Sequence, residues 1–278
     1  MNIDRTDEEL MSGAETLKPV AVLRARDGQL MPSEDVLAVE TPVALEYNGI
    51  SHAVMLASPS DLENFALGFS LSEGIIQNPS ELYECEPELT DQGWLLHLKI
   101  ASDRFMTLKE RRRNLAGRTG CGLCGTESLS QVSRTTKPVV HRHPFRSQEL
   151  LDGMHAMHAL QPLQQQSGAT HAAAWLNERG DIVLVREDVG RHNALDKLIG
   201  AMATQRIDFS RGALLITSRA SYEMVQKAAM MNIGLIAAIS APTSLAVQLA
   251  ESAGITLVGF LRDQGYVVYA HADRLAPV

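Results

Sequence analysis

Apolar and polar positions change period several times along this 278-residue chain, and each change marks an element. Val43-Ala-Leu-Glu-Tyr47 and Ile50-Ser-His-Ala-Val-Met55 flank Asn48-Gly49, a pair favoured in type I′ turns, and predict a β-hairpin. Ser60 followed by Glu63 predicts a capping box. The helix it opens carries Leu62, Phe65, Ala66 and Phe69 on one face and ends at Gly74. Residues 93–100 read as a strand and 106–115 as a helix. Residues 34–40 alternate only weakly, and the polar, acidic stretch 1–17 reads as a flexible tail.

After residue 146 the texture changes. Ser147 is placed to cap a helix carrying Leu150, Leu151, Met154 and Met157, which must stop before Pro162. Segments 171–175 and 181–185 read as a hairpin around Asn177-Glu-Arg-Gly180, followed by a helix over about 193–202. Strands at 213–216, 234–239 and 256–260 then alternate with helices from Tyr222 and Ser244, and a last strand covers 266–269. Such alternation implies a partly parallel sheet covered by helices. The expected fold class is therefore α/β. Residues 18–118 form a smaller α+β N-terminal region, 119–146 a mobile cysteine-containing loop with a basic linker, and 147–278 a C-terminal α/β domain that binds the ligand.

Composition narrows the function. The chain is 45% hydrophobic and 21% charged, as in ordinary soluble proteins. No apolar run approaches the ~20 residues of a membrane-spanning helix, and the first ten residues contain no secretory apolar core. Three cysteines exclude a secreted disulfide framework, so a reducing, cytoplasmic location is expected. A net charge of −8 argues against a general nucleic-acid binder. Two basic stretches run against that trend. Arg104 to Arg118 holds six cations and one acid, Glu110; Arg134 to Arg146 holds four cations and two histidines with no acid.

Between those stretches lies Cys121-Gly-Leu-Cys124, with glycine on both sides. Thiols at this spacing can bind metal, cycle between thiol and disulfide, or pass sulfur as a persulfide, and nearby cations favour the reactive thiolate. A structural zinc wants a second ligand pair, which only His141, His143 or His171 could supply. A thioredoxin-like pair should open a helix, yet a polar loop follows Cys124. Cys85, in an acidic context, reads as structural. A second constellation sits where the predicted strands end: Thr217-Ser218-Arg219, Ser240-Ala-Pro-Thr243 and Leu261-Arg262-Asp263-Gln264-Gly265. Ligands collect at such ends in open α/β sheets, and hydroxyls with arginines suit anions, although Ser and Thr also cap helices without any ligand. The polar run Arg186 to Lys197 either positions a substrate through Arg191, His192 and Lys197 or is a turn closed by internal ion pairs.

Together these stretches resemble the formate dehydrogenase accessory sulfurtransferase family, FdhD/NarQ. The resemblance is carried by Ala66-Leu-Gly-Phe69 with Ser72-Glu-Gly-Ile-Ile76, Cys121-Gly-Leu-Cys-Gly125, Ser167-Gly-Ala-Thr-His171-Ala172, Arg186 to Lys197, Ser240-Ala-Pro-Thr243 and Gly259-Phe-Leu-Arg262. Thr217-Ser218-Arg219 departs from it by lacking a glycine before the arginine. The resemblance implies a cytidine-deaminase-like three-layer C-terminal domain and a homodimer. It implies a sulfur carrier that takes persulfide sulfur from a cysteine desulfurase and passes it to molybdenum bis(molybdopterin guanine dinucleotide) destined for formate dehydrogenase. By the same resemblance Cys121 carries the persulfide, Cys124 assists, and Phe260, Leu261, Arg262, Asp263, Gln264 and Gly265 hold the guanine dinucleotide, with free guanine nucleotides as mimics. Ser218, Arg219, Thr243 and His192 complete the expected ligand site, and no metal is expected. A zinc deaminase needs His-x-Glu ahead of Pro-Cys-x-x-Cys, and Gly120 replaces that proline here. A non-catalytic chaperone of the same cofactor and a zinc-stabilised binding domain are the alternatives.

Overall fold

The structure is a computed structural model that describes residues 15–113, 138–140, 143–263 and 265–276. Cys121, Cys124 and Gln264 lie outside the described residues, as do most of the predicted loop from 119 to 146 and the first fourteen residues.

The chain opens with two hairpins. Strands β1 (Leu17–Arg26) and β2 (Gln29–Ala38) pair antiparallel from Leu17↔Ala38 to Arg26↔Gln29 and form a sheet of their own. Leu17, assigned to the tail by its neighbours' polarity, is thus part of a strand. Strands β3 (Thr41–Tyr47) and β4 (Ile50–Ala57) form the Asn-Gly hairpin, with Asn48 and Gly49 both at positive φ as a type I′ turn requires. They join β5 (Leu82–Thr90) and β6 (Gly93–Ile100) in a four-stranded sheet ordered β4-β3-β6-β5.

Helix α1 (Leu62–Ser72) buries Leu62, Phe65, Ala66 and Phe69, the face expected, and the chain turns away at Gly74 with φ 63°. Its predicted capping box does not form. Asp61 occupies the N-cap in a left-handed conformation and makes no side-chain cap bond, so Ser60 lies one residue too early. Helix α2 (Ser102–Arg113) follows β6. Arg104 closes a forked ion pair on Glu81, at 3.0 and 2.9 Å, which holds the Glu81 carboxyl down at about 2. That guanidinium is engaged, so it is not one of the free cations expected beside the cysteines.

A short strand β7 (Phe145–Arg146) leads into α3 (Ser147–Ala159) and α4 (Pro162–Ser167). Ser147 is the first residue of α3 rather than its cap; the Arg146 N–H donates to the Glu149 carboxylate at 2.9 Å. The predicted alternation then appears as β8 (His171–Asn177), β9 (Ile182–Asp188), α5 (Arg191–Thr204), β10 (Gly212–Ile216), α6 (Tyr222–Met230), β11 (Leu235–Ala238), α7 (Ser244–Ala253), β12 (Thr256–Arg262) and β13 (Gly265–Ala270). A last strand, β14 (Leu275–Ala276), pairs with β7. The six-stranded sheet runs β13-β12-β11-β10-β8-β9. Its central strands β10, β11 and β12 are parallel and its flanks antiparallel.

Alternate residues of the central strands feed two cores. Ala213, Leu215, Leu235 and Ala237 face α3, whereas Leu214, Ile216, Ile236 and Ala238 face α5, α6 and α7. The second core continues through α1 to Val43, Leu45, Leu96 and Leu98 of the four-stranded sheet, so the two regions share one interior. Backbone-to-backbone contact makes that junction possible. A Cβ on Gly68 of α1 would lie 1.7 Å from the Asp196 carbonyl oxygen, and one on Gly200 of α5 would lie 1.9 Å from that of Asn64.

Candidate functional site

The carboxyl ends of β10, β11 and β12 are laced together by backbone bonds. Thr217 N–H donates to the Ala172 carbonyl at 3.1 Å, Thr243 N–H to that of Ala220 at 3.1 Å, and Phe260 N–H to that of Ser240 at 3.3 Å. The amino ends of α5, α6 and α7 arrive at the same edge of the sheet. Orphan N–H groups at helix starts favour anions.

The side chains reinforce that preference. His171 stands at the start of β8; burial, then the charges of Arg191 and His192, depress its basicity and favour the neutral ring. His192 Nε2 lies 2.6 Å from Glu223 Oε2 in the first turn of α6, and Arg191 Nη2 lies 3.9 Å from the same oxygen. This contact holds the Glu223 carboxyl below the usual carboxylate range. Arg186 Nε lies 3.1 Å from Asp61. Arg219 is exposed and makes no ion pair among the described residues. Arg191 Nε and Ser221 Oγ are shielded from solvent and have no hydrogen-bond partner among the described residues. An oxyanion would satisfy such donors.

Beneath this rim the polar run from 186 to 197 folds into a buried network. Lys197, fully buried, binds Asp188 Oδ2 at 2.7 Å and the Ser58 carbonyl at 2.9 Å. The other Asp188 oxygen accepts from Gly190 N–H at 2.7 Å and from Asn193 Nδ2 at 3.0 Å. The reading of the run as a turn closed by internal ion pairs therefore describes its buried part. Lys197 is structural, and its pairing with Asp188 fixes the start of α5, from which Arg191 and His192 face the rim.

The structure sorts the remaining expected ligand residues. Strand β12 does not end at Phe260 but runs on to Arg262, through a register irregularity with Phe260 at φ 52°, into a hairpin with β13. Phe260 stays partly exposed, and the Arg262 guanidinium sits 5.7 Å from its ring centre. Asp263 and Gly265 are exposed at the turn, whereas Leu261 is fully buried, so only its backbone can meet a ligand. The buried Ser218 hydroxyl donates to the Arg219 carbonyl at 3.1 Å. Thr243 is the N-cap of α7, accepting from Ala246 N–H at 3.4 Å. Thr243→Ala is accordingly expected to cost about 1 kcal/mol of stability, read by thermal unfolding, and an unchanged melting temperature would mean that the cap bond contributes nothing. Glu223 escaped the sequence reading, since an acid in a helix's first turn ordinarily just complements the dipole.

Elsewhere, Cys85 packs against the core and burial pushes its thiol up to about 12, in keeping with a structural role. A depression of about 430 Å³ on the outer face of the four-stranded sheet is lined by Glu46, Glu84, Glu86 and His97. Its acids disfavour an anionic ligand. Among the described residues no cluster of three or more His, Cys, Asp or Glu could hold a metal ion, and no helix is long and apolar enough to cross a membrane.

Fold and site define an α/β protein with a cation-lined edge at the carboxyl ends of its parallel strands. Residues 38–276 match the model of the FdhD/NarQ family. The chain is 60% identical over 255 residues to a protein of Cupriavidus necator named sulfur carrier protein FdhD, covering 92% of this chain and 88% of that one. It is 51% identical over 270 residues to the like-named protein of Variovorax paradoxus, covering 97% and 96%. A crystal structure described as a formate dehydrogenase accessory protein, from Desulfotalea psychrophila, superposes with a TM-score of 0.77 at 24% identity, over 94% of this chain and all of that one. The chain belongs to the FdhD/NarQ family.

Proposed function

We infer that this protein is a cytoplasmic sulfur carrier that takes sulfur from a cysteine desulfurase and delivers it to a molybdenum bis(molybdopterin guanine dinucleotide) substrate destined for formate dehydrogenase. The observation that carries the reading is the 60% identity, over 92% of this chain, to a protein named for sulfur carriage. Two features of the chain support it: the Cys121-Gly-Leu-Cys124 pair and the cationic rim. Diphosphate groups suit Arg191, His192 and Arg219, and the Phe260 ring with Arg262 suits a purine face. On this reading the six-stranded unit is cytidine-deaminase-like in architecture, without the residues of deaminase chemistry.

The Cys121 thiolate attacks the outer sulfur of the desulfurase persulfide. The S–S bond breaks, the desulfurase cysteine leaves as thiolate, and Cys121 becomes a persulfide. In delivery the Cys124 thiolate attacks the inner sulfur. A Cys121–Cys124 disulfide forms as hydrosulfide departs to the acceptor, and a dithiol reductant then restores both thiols. Intact mass after incubation with desulfurase and free cysteine is expected to rise by one sulfur atom, mapped to Cys121. Unchanged mass would replace the carrier by a passive cofactor chaperone, and one zinc per chain by elemental analysis would favour a zinc-stabilised domain.

A further inference from the structure

Two acid–base pairs stack across the contact between α5 and α6, one helical turn apart. At the rim His192 of α5 meets Glu223 of α6 at 2.6 Å. One turn further along each helix, the buried Asp196 accepts from Lys227 on both its oxygens, each at 3.0 Å. Residues four apart share a helix face, so each helix presents one basic and one acidic group, in opposite order. The lower pair is anchored further, since Lys227 also donates to Ser72 and to Glu73, both at 2.9 Å. It gives the upper pair a fixed base. His192 Nε2 is shielded from solvent, and among the described residues the Glu223 oxygen is the polar atom it faces. Arg191 Nη2, at 3.9 Å from that oxygen, is too far for a hydrogen bond, so the hold of Glu223 falls on His192. An acid that only complements a helix dipole can stay in water. The Glu223 side chain is instead 21% exposed and turned onto the rim.

We propose that Glu223 is a positioning residue of the rim, holding the His192 ring in the orientation that receives the diphosphate of the ligand. The proposal rests on the rim being the ligand site of the sulfur carrier. A freely turning side chain must be ordered when a ligand arrives, and ordering it beforehand strengthens binding. The charge of Glu223 opposes an anion, but that opposition is small. Arg191 stands beside the carboxylate and the amino end of α6 lies behind it, so its field is largely compensated before any ligand binds.

Calorimetry with guanosine diphosphate on the full chain tests this, using wild type, Glu223→Gln, His192→Ala and the double variant. Glutamine keeps the shape of the side chain and removes its charge. Glu223→Gln is expected to bind about tenfold more weakly, with native circular dichroism. In the His192→Ala background the same substitution should change affinity less than about twofold, since a residue that acts through His192 then has nothing to hold. The proton signal of His192 Nε2–H should lie downfield in the ligand-free wild type, as for an imidazole donating to a carboxylate, and should move upfield or vanish in Glu223→Gln. A role confined to folding would weaken binding equally in both backgrounds. Equal losses in both, an unchanged or higher affinity in Glu223→Gln, or an unmoved signal would each overturn the positioning role alone. A wild type that binds no guanosine diphosphate would overturn the ligand reading of the rim, and the positioning role with it.

Discussion

Replacing Cys121 by Ala is expected to abolish sulfur transfer, the largest functional effect foreseen for this chain. A methyl group has no lone pair with which to attack a persulfide, and no other group is called upon to make that attack. Serine should do no better, because only a thiolate is both ionised and strongly nucleophilic near neutral pH. Ligand binding should survive, since the described rim is built from Asp61, Arg186, Arg191, His192 and Glu223, which keep their own ion pairs when Cys121 is replaced. The expected outcome is no mass gain from desulfurase and no activation of formate dehydrogenase, with guanine-nucleotide affinity within about twofold of wild type, a change under 0.5 kcal/mol. Cys124→Ala should separate the two halves of the cycle. It should still gain sulfur, and it should release it slowly for want of the displacing thiolate. A Cys121→Ala protein that activates the dehydrogenase would reduce this protein to a cofactor escort.

How much of this was legible in the sequence follows the range of the interactions. The Asn48-Gly49 and β8–β9 hairpins rest on neighbours a few residues apart, and the parallel β10–β12 strands on the regular alternation of strand and helix; all formed as read. The β1–β2 hairpin was missed although Asp27-Gly28 marks its turn, both residues at positive φ. Pro19 and Pro32 within its strands broke the usual strand pattern. Leu261 reads as part of an exit loop because Arg262, Asp263 and Gly265 around it are polar or glycine. Only the tertiary register shows it pointing into the core opposite α3. Asp188 and Lys197 are nine positions apart, a spacing that does not announce a pair. Their meeting depends on Ser58, 139 residues from Lys197 along the chain.

The close crossing of α1 and α5 was equally hidden, and it carries the largest expected effect on stability. Gly200→Ala should destabilise the protein even though alanine is the better helix former by about 1 kcal/mol. The added Cβ would stand 1.9 Å from the Asn64 carbonyl oxygen and 2.9 Å from the Asn64 Cα, and backbone atoms in a helix cannot rotate away as a side-chain tip can. The helices must part by more than an ångström. Parting them stretches the bond from Ser72 to Asp196 at 2.6 Å, which bridges the two helices, and disturbs two contacts beside it: Lys227 of α6 to Ser72 at 2.9 Å and Lys197 of α5 to the Ser58 carbonyl ahead of α1 at 2.9 Å. Burial already pushes the Asp196 carboxyl up, opposed chiefly by the Lys227 ammonium, so a looser geometry exposes the desolvation cost of that buried pair. Overpacking and the weakened pair together are expected to outweigh the gain in propensity by about 3 kcal/mol. The melting temperature should fall by roughly 6–12 °C. Ser252→Ala, on the exposed side of α7, serves as a control expected to stay within about 1–2 °C. Because α5 also sets Arg191 and His192 at the rim, guanine-nucleotide affinity should fall with stability in the Gly200 variant and not in the control. An unchanged or higher melting temperature would mean that alanine's helical preference prevails and that the two backbones do not touch.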